Sequence, residues 1–493
     1  MMTTAESKTE IARLRERIER GAKVISLGGL TSIAAKAFVL SHLQRETAKT
    51  FVVVADTNKD SENWECDLDF WVKSKKADSQ IFSLPSFETD IYSGVSPHAE
   101  TLEKRALALW NLSFGKPDFL ITSAKSLITR TVSPSEIRNL GAVLKLDEDY
   151  APDDLIEKLV ASGYVRAEPI ANVGEFSVRG GILDVWSPSA EMPVRIEFFG
   201  DTVDSIRQFD PDTQLSVGQL KEIALAPMRE FAAGAKDFRD WAFFARERFA
   251  DERFARAVQD RADFADEGES FSGWEFLMPL INPRKSVVFD YLKDAVFVVD
   301  EPPLVEQTLA NYYENLSKHL AEITEAGEIG LEPRELFLTG AELREKLKGT
   351  QRLELRILGK SAAATGESLE FENEVPASVI ELSGRKSGNN GDGKKPERNP
   401  LFLFPTAEIN EEFEIGSRAT RKFHGNLPDF ADNLKSNYEL RITNYEKNGD
   451  ERKSKAFRDA VARHRRTSHR DLARLPGFRR TAVVFNRRFV GRF

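Results

Sequence analysis

The chain has 493 residues, of which 41% are apolar and 30% are charged, so it is long enough for roughly three to five domains of about 100–150 residues. Its single cysteine, Cys66, excludes a disulfide framework and a multi-cysteine zinc site, and is typical of a reducing compartment. No apolar run approaches the roughly 20 residues that a membrane span needs, and residues 1–20 lack the apolar segment of a signal peptide. These features predict a cytoplasmic protein with no membrane partner.

The net charge of −9 is distributed unevenly along the chain. Residues 451–493 contain 14 Lys and Arg against 3 Asp and Glu, so this tail carries +11 and the first 450 residues carry −20. The acidic charge of residues 1–450 is not typical of a general nucleic-acid-binding protein, because affinity for phosphate needs clustered positive charge. The basic tail has two interpretations, a nucleic-acid-binding arm or a truncated or frame-shifted end, and the abrupt change of composition favours the second.

Residues 1–130 predict a parallel α/β domain. A helix over residues 9–20 is followed by helical stretches that alternate with four short apolar runs, at 23–27, 50–55, 80–84 and 119–122. Strands that alternate with helices form a parallel sheet with helices on both faces. Cys66 lies in one of the predicted helices, where a buried and unreactive thiol is expected.

Residues 131–220 change to the pattern of a small α+β domain. A helix is predicted over 153–162, and four closely spaced strands follow it, at 175–178, 182–186, 194–199 and 202–209. Gly200 and Asp201 are the two-residue turn expected between the last two strands.

Residues 221–335 are predicted to be the second part of the first α/β domain, which makes the small domain an insertion. They contain charged helices, a long helix and two β-like runs, at 286–291 and 295–300. Residues 336–450 predict a further small α/β domain with a disordered insertion near 359–399, where the Ser, Gly, Asn and Lys content is typical of an exposed loop. The predicted fold class is therefore multidomain α/β, followed by the basic tail.

Residues 26–36 (SLGGLTSIAAK) resemble a degenerate phosphate-binding loop. An intact loop needs G-x-x-x-x-G-K-[ST], because the glycines let backbone N–H groups approach the phosphates and the lysine neutralises them. After Gly29, this chain has Ala34 and Ala35 where the second glycine and the lysine belong, and Lys36 comes one position late. A degenerate loop with a structural role is the favoured interpretation, and a nucleotide-binding site is the alternative.

The other half of this degenerate nucleotide site is an apolar strand that ends in two acids. In P-loop motors such a strand end holds magnesium and positions water. Without an intact loop, two solvated strand-end acids are the favoured interpretation. The residues of the degenerate nucleotide site are Gly28, Gly29, Lys36, Asp300 and Glu301.

No catalytic residue, metal site or cofactor is expected. The six histidines show no ligand spacing, and no G-x-S-x-G nucleophile motif is present in the sequence.

The predicted strand at 194–199 has two unlike faces, because successive side chains alternate. One face is entirely apolar and is predicted to be core: Val194, Ile196 and Phe198. The opposite face carries Arg195, Glu197 and Phe199, and arginine with a large aromatic is the mixture enriched at interface hot spots. Arg179 stands before a Gly-Gly pair, where a backbone bulge would project it. A solvated face with one incidental phenylalanine is the alternative, which the spacing alone favours.

Residues 174–211, with GEFSVRGGILDVW and PVRIEFFGD, closely resemble a module shared by the excinuclease helicase UvrB and the transcription-repair coupling factors. Weaker similarity at the flanks extends the resemblance to about residues 24–434, through segments at 84–98, 119–124 and 421–428. UvrB has an intact phosphate-binding loop and a long DNA-clamping hairpin, and the sequence between Pro85 and His98 has no room for that hairpin. This favours the N-terminal region of a coupling factor, with a degenerate helicase-like first domain. The alternative is a fragment of a UvrB-like ATP-dependent DNA helicase.

The resemblance implies a function in nucleotide excision repair. In the coupling factors the inserted domain binds UvrA, the damage-recognition ATPase of the excinuclease, and the matching positions here are Arg179, Arg195 and Phe199. The chain would recruit that ATPase to stalled transcription complexes. RNA polymerase and DNA are bound by the family's C-terminal part, whose ATP-driven translocase motor we expect to be missing here, since the sequence contains no G-x-x-x-x-G-K-[ST]. We therefore expect this chain not to be an enzyme.

Overall fold

A computed structural model describes residues 4–73, 79–357 and 401–416, with side chains from residue 10 onward. All of these belong to one compact unit, residues 1–418; a second unit, residues 419–493, lies outside the described residues. The predicted insertion near 359–399, the similarity at 421–428 and the basic tail at 451–493 therefore also lie outside them.

The first 120 positions alternate helices and strands. The elements are α1 (Thr4–Glu19), β1 (Val24–Gly28), α2 (Ile33–Thr47), β2 (Phe51–Ala55), α3 (Asn58–Lys73), β3 (Ile81–Leu84), α4 (Ala99–Phe114) and β4 (Phe119–Ser123). Every residue of β1, β2 and β4 is buried, as expected for parallel strands that are covered on both faces.

The middle of the chain contains two short helices that pack in the larger core, followed by the small domain with its two smaller sheets. The elements are α5 (Ala124–Ile128), α6 (Pro134–Leu140), β5 (Ala142–Lys145), α7 (Pro152–Ala161), β6 (Val165–Arg166), β7 (Glu175–Arg179), β8 (Ile182–Val185), β9 (Val194–Phe199), β10 (Thr202–Phe209), β11 (Ser216–Gln219) and β12 (Glu222–Leu225). Six strands form one sheet in the order β11-β10-β9-β8-β7-β6. Strands β5 and β12 form a separate antiparallel pair in which Ala142 lies opposite Leu225.

The last described part returns to helices with single strands between them. The elements are α8 (Ala235–Arg248), α9 (Ala255–Asp266), α10 (Trp274–Leu277), β13 (Val296–Asp300), α11 (Pro302–Glu325), α12 (Pro333–Leu336), α13 (Gly340–Lys348), β14 (Gln351–Arg356) and β15 (Glu411–Glu414). No helix among the described residues is long and apolar enough to cross a membrane.

Seven strands pair in parallel to form the central sheet, in the order β15-β1-β14-β13-β2-β4-β3. Strand β13 thus joins the strands that precede the small domain. Side chains of β2 alternate between two cores, with Val52 and Val54 on one face and Phe51 and Val53 on the other. The small domain has a third core around β9. The predicted multidomain α/β class is confirmed.

The predicted start of a separate small domain at residue 336 is wrong for residues 336–357 and 401–416. Strand β14 lies between β1 and β13, and β15 lies on the other side of β1. The sequence QRLELR alternates charged and apolar residues, which hides a strand buried on both faces. Its charged side chains are accommodated because they form ion pairs with one another, from Arg352 and Arg356 to Glu354.

Two local predictions are also wrong. Val288–Tyr291 is a turn of 3₁₀-helix and not part of a strand, and the side chain of Asp290 accepts a hydrogen bond from the Val287 N–H at 3.0 Å. Cys66 is exposed and not buried. Helix α3 buries Trp64 and Leu68, four residues apart, so the residue midway between them points to the opposite side of the helix.

Candidate functional site

The hairpin of β9 and β10 places Phe199 at its tip. The turn passes through Gly200, whose φ of +64° favours glycine, and Phe199 pairs with Thr202 across it. The Phe199 side chain is 83% exposed, whereas Val194 and Ile196 on the other face of β9 are fully buried in the small core. The strand therefore has the apolar inner face and the mixed outer face that the alternation predicts.

Asp184 fixes the guanidinium of Arg195. Strand β8 places Asp184 directly opposite Arg195, whose Nε and Nη2 donate to the two carboxylate oxygens at 2.7 and 2.8 Å. The hydrogen bonds to Asp184 raise the pKa of Arg195 above its ordinary value, against the opposing effect of its partial burial. The guanidinium also stacks over the ring of Phe209, 4.8 Å from its centroid. Arg195 thus has one well-defined orientation before any partner binds.

Arg179 shares the same carboxylate. Its Nη2 donates to Asp184 Oδ2 at 3.2 Å, and its Nε lies 3.5 Å from a carboxylate oxygen of Glu168, while half of the side chain is exposed. The bulge that we predicted beside it is wrong. Gly180 and Gly181 are instead the hairpin turn between β7 and β8, and a Cβ on Gly181 would come within 2.9 Å of the Phe198 carbonyl oxygen.

We call Arg179, Asp184, Arg195 and Phe199 the docking face. The sequence interpretation missed Asp184, which is only 3% exposed and holds both arginines. The signal that could have found it is the alternation along β8, which places Asp184 on the side of the sheet that faces Arg195.

Glu197, on the same strand face, is paired within the sheet. It accepts from the Arg207 guanidinium and, at 2.8 Å, from the Ser205 hydroxyl, both on β10. Its charge is therefore compensated inside the domain, which leaves Phe199 as the large exposed group on this face of β9.

The structure also brings the two halves of the degenerate nucleotide site together. Lys36 Nζ donates to Asp300 Oδ1 at 2.6 Å and to Glu301 Oε1 at 2.9 Å, and its side chain is 5% exposed. Trp64 Nε1 donates to the second oxygen of Asp300 at 2.8 Å. The prediction of two solvated acids is therefore wrong, because both carboxylates are bound to the lysine.

These contacts control the ionisation of Lys36. Burial by itself lowers the pKa of Lys36, but the charges and hydrogen bonds of Asp300 and Glu301 together outweigh it, and the pKa is raised above its ordinary value. Lys36 is therefore a charged group with its charge already compensated.

Another part of the chain packs against the glycine turn of this site. The Ile415 N–H donates to the Gly28 carbonyl oxygen at 3.0 Å, and a Cβ on Gly29 would come within 2.7 Å of the Ile415 carbonyl oxygen. A phosphate group would have to displace Ile415 from the turn and the two carboxylates from Lys36. Among the described residues, no group of three or more His, Cys, Asp or Glu side chains could hold a metal ion.

Parts of the chain are similar to known proteins. Residues 143–231, which contain the whole docking face, match the family described as the UvrB interaction domain. The transcription-repair-coupling factor of Myxococcus xanthus is 31% identical over 341 residues, which are 65% of this chain and 28% of that protein. About two thirds of the chain is thus similar to a transcription-repair coupling factor. The coupling factor of Haemophilus influenzae is 27% identical over 65% of this chain, and that of Rickettsia bellii is 26% identical over 79%.

The matches span only part of the curated coupling factors, 27% of the Haemophilus influenzae protein and 33% of the Rickettsia bellii protein. The chain therefore corresponds to about a third or less of the length of these relatives.

Proposed function

We propose that this chain is a docking module that recruits UvrA, the damage-recognition ATPase of the excinuclease, through its docking face. The observation that carries the proposal is the 83% exposure of Phe199 at a hairpin tip, on the same sheet face as two arginines held by Asp184, within the match to the UvrB interaction domain. Exposed aromatics and arginines are the residue types that dominate binding energy at protein interfaces.

The physical advantage of this face is its preorganisation. A free arginine side chain loses rotamer entropy when it binds, and this loss opposes association. Arg195 has already lost that freedom, because Asp184 binds it through two hydrogen bonds and the Phe209 ring lies under it. A partner carboxylate that meets Arg195 therefore gains its hydrogen bonds at a smaller entropic cost.

We infer further that the degenerate nucleotide site has a structural role and that the chain does not hydrolyse ATP there. The support is the pairing of Lys36 with Asp300 and Glu301, which gives the lysine the negative partners that phosphates would otherwise supply. In this proposal the chain acts by binding, and contact with RNA polymerase and DNA belongs to other parts of a coupling factor.

Isothermal titration of purified UvrA into the chain tests the docking proposal. We expect saturable binding by the chain and a loss of about 2 kcal/mol or more, roughly thirtyfold in affinity, in the variant with Arg195→Ala and Phe199→Ala. The matched control replaces an exposed Arg–Phe pair outside the matched domain, with Arg239→Ala and Phe243→Ala on α8. Undiminished binding by the first variant would falsify the assignment of the docking face.

A further inference from the structure

A basic cleft of about 460 Å³ lies among residues that are separate from the docking face and outside the match to the UvrB interaction domain. Five cations line it against one carboxylate, Glu335; the cations are Arg130, Arg248, Arg284, Lys285 and Arg334. The chain as a whole has more acidic than basic residues, 79 against 70, so this cleft differs in charge from the chain average.

Three of these cations are compensated by acids around the cleft. Carboxylate oxygens lie at 2.7 Å from Arg130, at 3.0 Å from Arg248 and at 2.7 Å from Arg334, on Glu342, Glu335 and Glu332. The two consecutive cations Arg284 and Lys285 form no ion pair with any described residue. The positive charge that is available to a ligand is therefore concentrated on these two side chains.

Arg284 is the more unusual of the two, because it is only 8% exposed. Its guanidinium lies 3.8 Å from the centroid of the Phe231 ring, and its Nη2 donates to the backbone carbonyl of Glu275. Among the described residues this is its one hydrogen bond, and Arg284 is one of the residues that line the cleft. A buried cation with unused donors at a cleft is suited to an anionic ligand.

The buried charges behind the cleft do not compensate Arg284 fully. Arg105 and Glu230 form a bidentate pair at 2.8 and 3.2 Å, and both are almost completely buried. With Arg229 and Glu275, this network holds three arginines and two glutamates, so it has one excess positive charge. Burial lowers the pKa of Arg284 to about 10, which shows that the charged form lacks part of the stabilisation it has in water.

We propose that this cleft binds a phosphate-type oxyanion, held by the guanidinium of Arg284 and the ammonium of Lys285. The planar fork of an arginine matches two oxygens of such an anion, and a lysine beside it adds a second positive charge. The ligand compensates the excess charge of the buried network. The oxyanion has two sources, a free phosphate or phosphate monoester, and the phosphodiester of a single-stranded nucleic acid.

Thermal unfolding of the full chain with increasing inorganic phosphate tests the proposal, with sodium chloride at equal ionic strength as the reference. We expect a saturable rise in Tm with phosphate that chloride does not produce, because a ligand that binds the folded state stabilises it. Lys285→Glu should weaken the apparent phosphate affinity about tenfold or more, since it removes a charge-assisted hydrogen bond and adds repulsion. Lys285 is exposed, so this variant is expected to fold.

Lys221→Glu is the matched control, because Lys221 is also exposed but belongs to the small domain, away from the lining of the cleft. It should leave the phosphate response unchanged. Equal responses of Lys285→Glu and Lys221→Glu, or a phosphate effect no larger than that of chloride, would overturn the proposal.

A second arm distinguishes the two sources of the anion. Fluorescence anisotropy with a short single-stranded oligodeoxynucleotide reports phosphodiester binding, which Lys285→Glu should then abolish and Lys221→Glu should not. Phosphate binding without oligodeoxynucleotide binding assigns the cleft to a free phosphate or a monoester. Either result supports an oxyanion site that depends on Lys285.

Discussion

The degenerate nucleotide site and the docking face each hold charged residues together around a buried member, but that member is a cation in the first site and a carboxylate in the second. In the central sheet, Lys36 is covered and its charge is used by Asp300 and Glu301. In the small domain, Asp184 is the buried group, and it holds two arginines on the sheet face that also carries the exposed ring of Phe199. The buried member of each charge cluster therefore decides its role. The buried cation Lys36 binds two carboxylates inside the chain, whereas the buried carboxylate Asp184 holds two arginines that are partly exposed, as the proposed docking role requires.

Among the substitutions that test this comparison, Lys36→Met is expected to have the largest effect, a loss of stability. Removing one partner of a buried ion pair leaves two carboxylates close together and uncompensated, which costs about 3–5 kcal/mol. We expect the central sheet to unfold at a lower urea concentration. The affinity for UvrA, measured without urea, should stay unchanged.

The control for Lys36→Met is Lys293→Met, since Lys293 is an exposed lysine that precedes the same sheet strand β13. A loss of less than about 1 kcal/mol in Lys36→Met, indistinguishable from the control, would contradict a structural role for the lysine.

A smaller effect is expected from Asp184→Asn. The substitution keeps the shape but removes the charge that binds Arg195 and Arg179, and a hydrogen bond to a charged group contributes about 1.5–3 kcal/mol. We expect roughly tenfold weaker binding of UvrA, measured by titration, although Arg195 and Phe199 are both still present. Full affinity in a folded Asp184→Asn protein would show that the orientation of the arginines does not matter.

The smallest effect expected is that of Phe199→Ala on the stability of the folded chain. The ring is exposed in the folded chain, so its removal should change the unfolding free energy by no more than about 0.5 kcal/mol, measured by urea unfolding. Ile196→Ala on the other face of β9 is the contrasting variant, since it removes a fully buried side chain and should cost about 2–5 kcal/mol. Equal costs for the two variants would mean that the two faces of β9 are not distinguished as described.

The sequence predicted those features that depend on local periodicity. Alternation along β9 separates Ile196 from Phe199, and alternating helices and strands predict the parallel sheet. Prediction failed where a residue's environment is set by distant parts of the chain. The ion pair of Lys36 with Asp300 joins positions 264 residues apart, and no local pattern shows that the two meet. Strand β14 is another such case, because only the folded chain shows that β1 and β13 flank it in the central sheet.

The pairing of Ala142 with Leu225 has a consequence for how this architecture arises and how it can be engineered. The chain leaves the larger fold and returns to it through two adjacent strands, about 4.8 Å apart. An insertion whose ends are neighbours needs no bridging segment and imposes little deformation on its host. The docking face is therefore carried on a segment that begins and ends at one strand pair, which is the arrangement that tolerates insertion into a host fold.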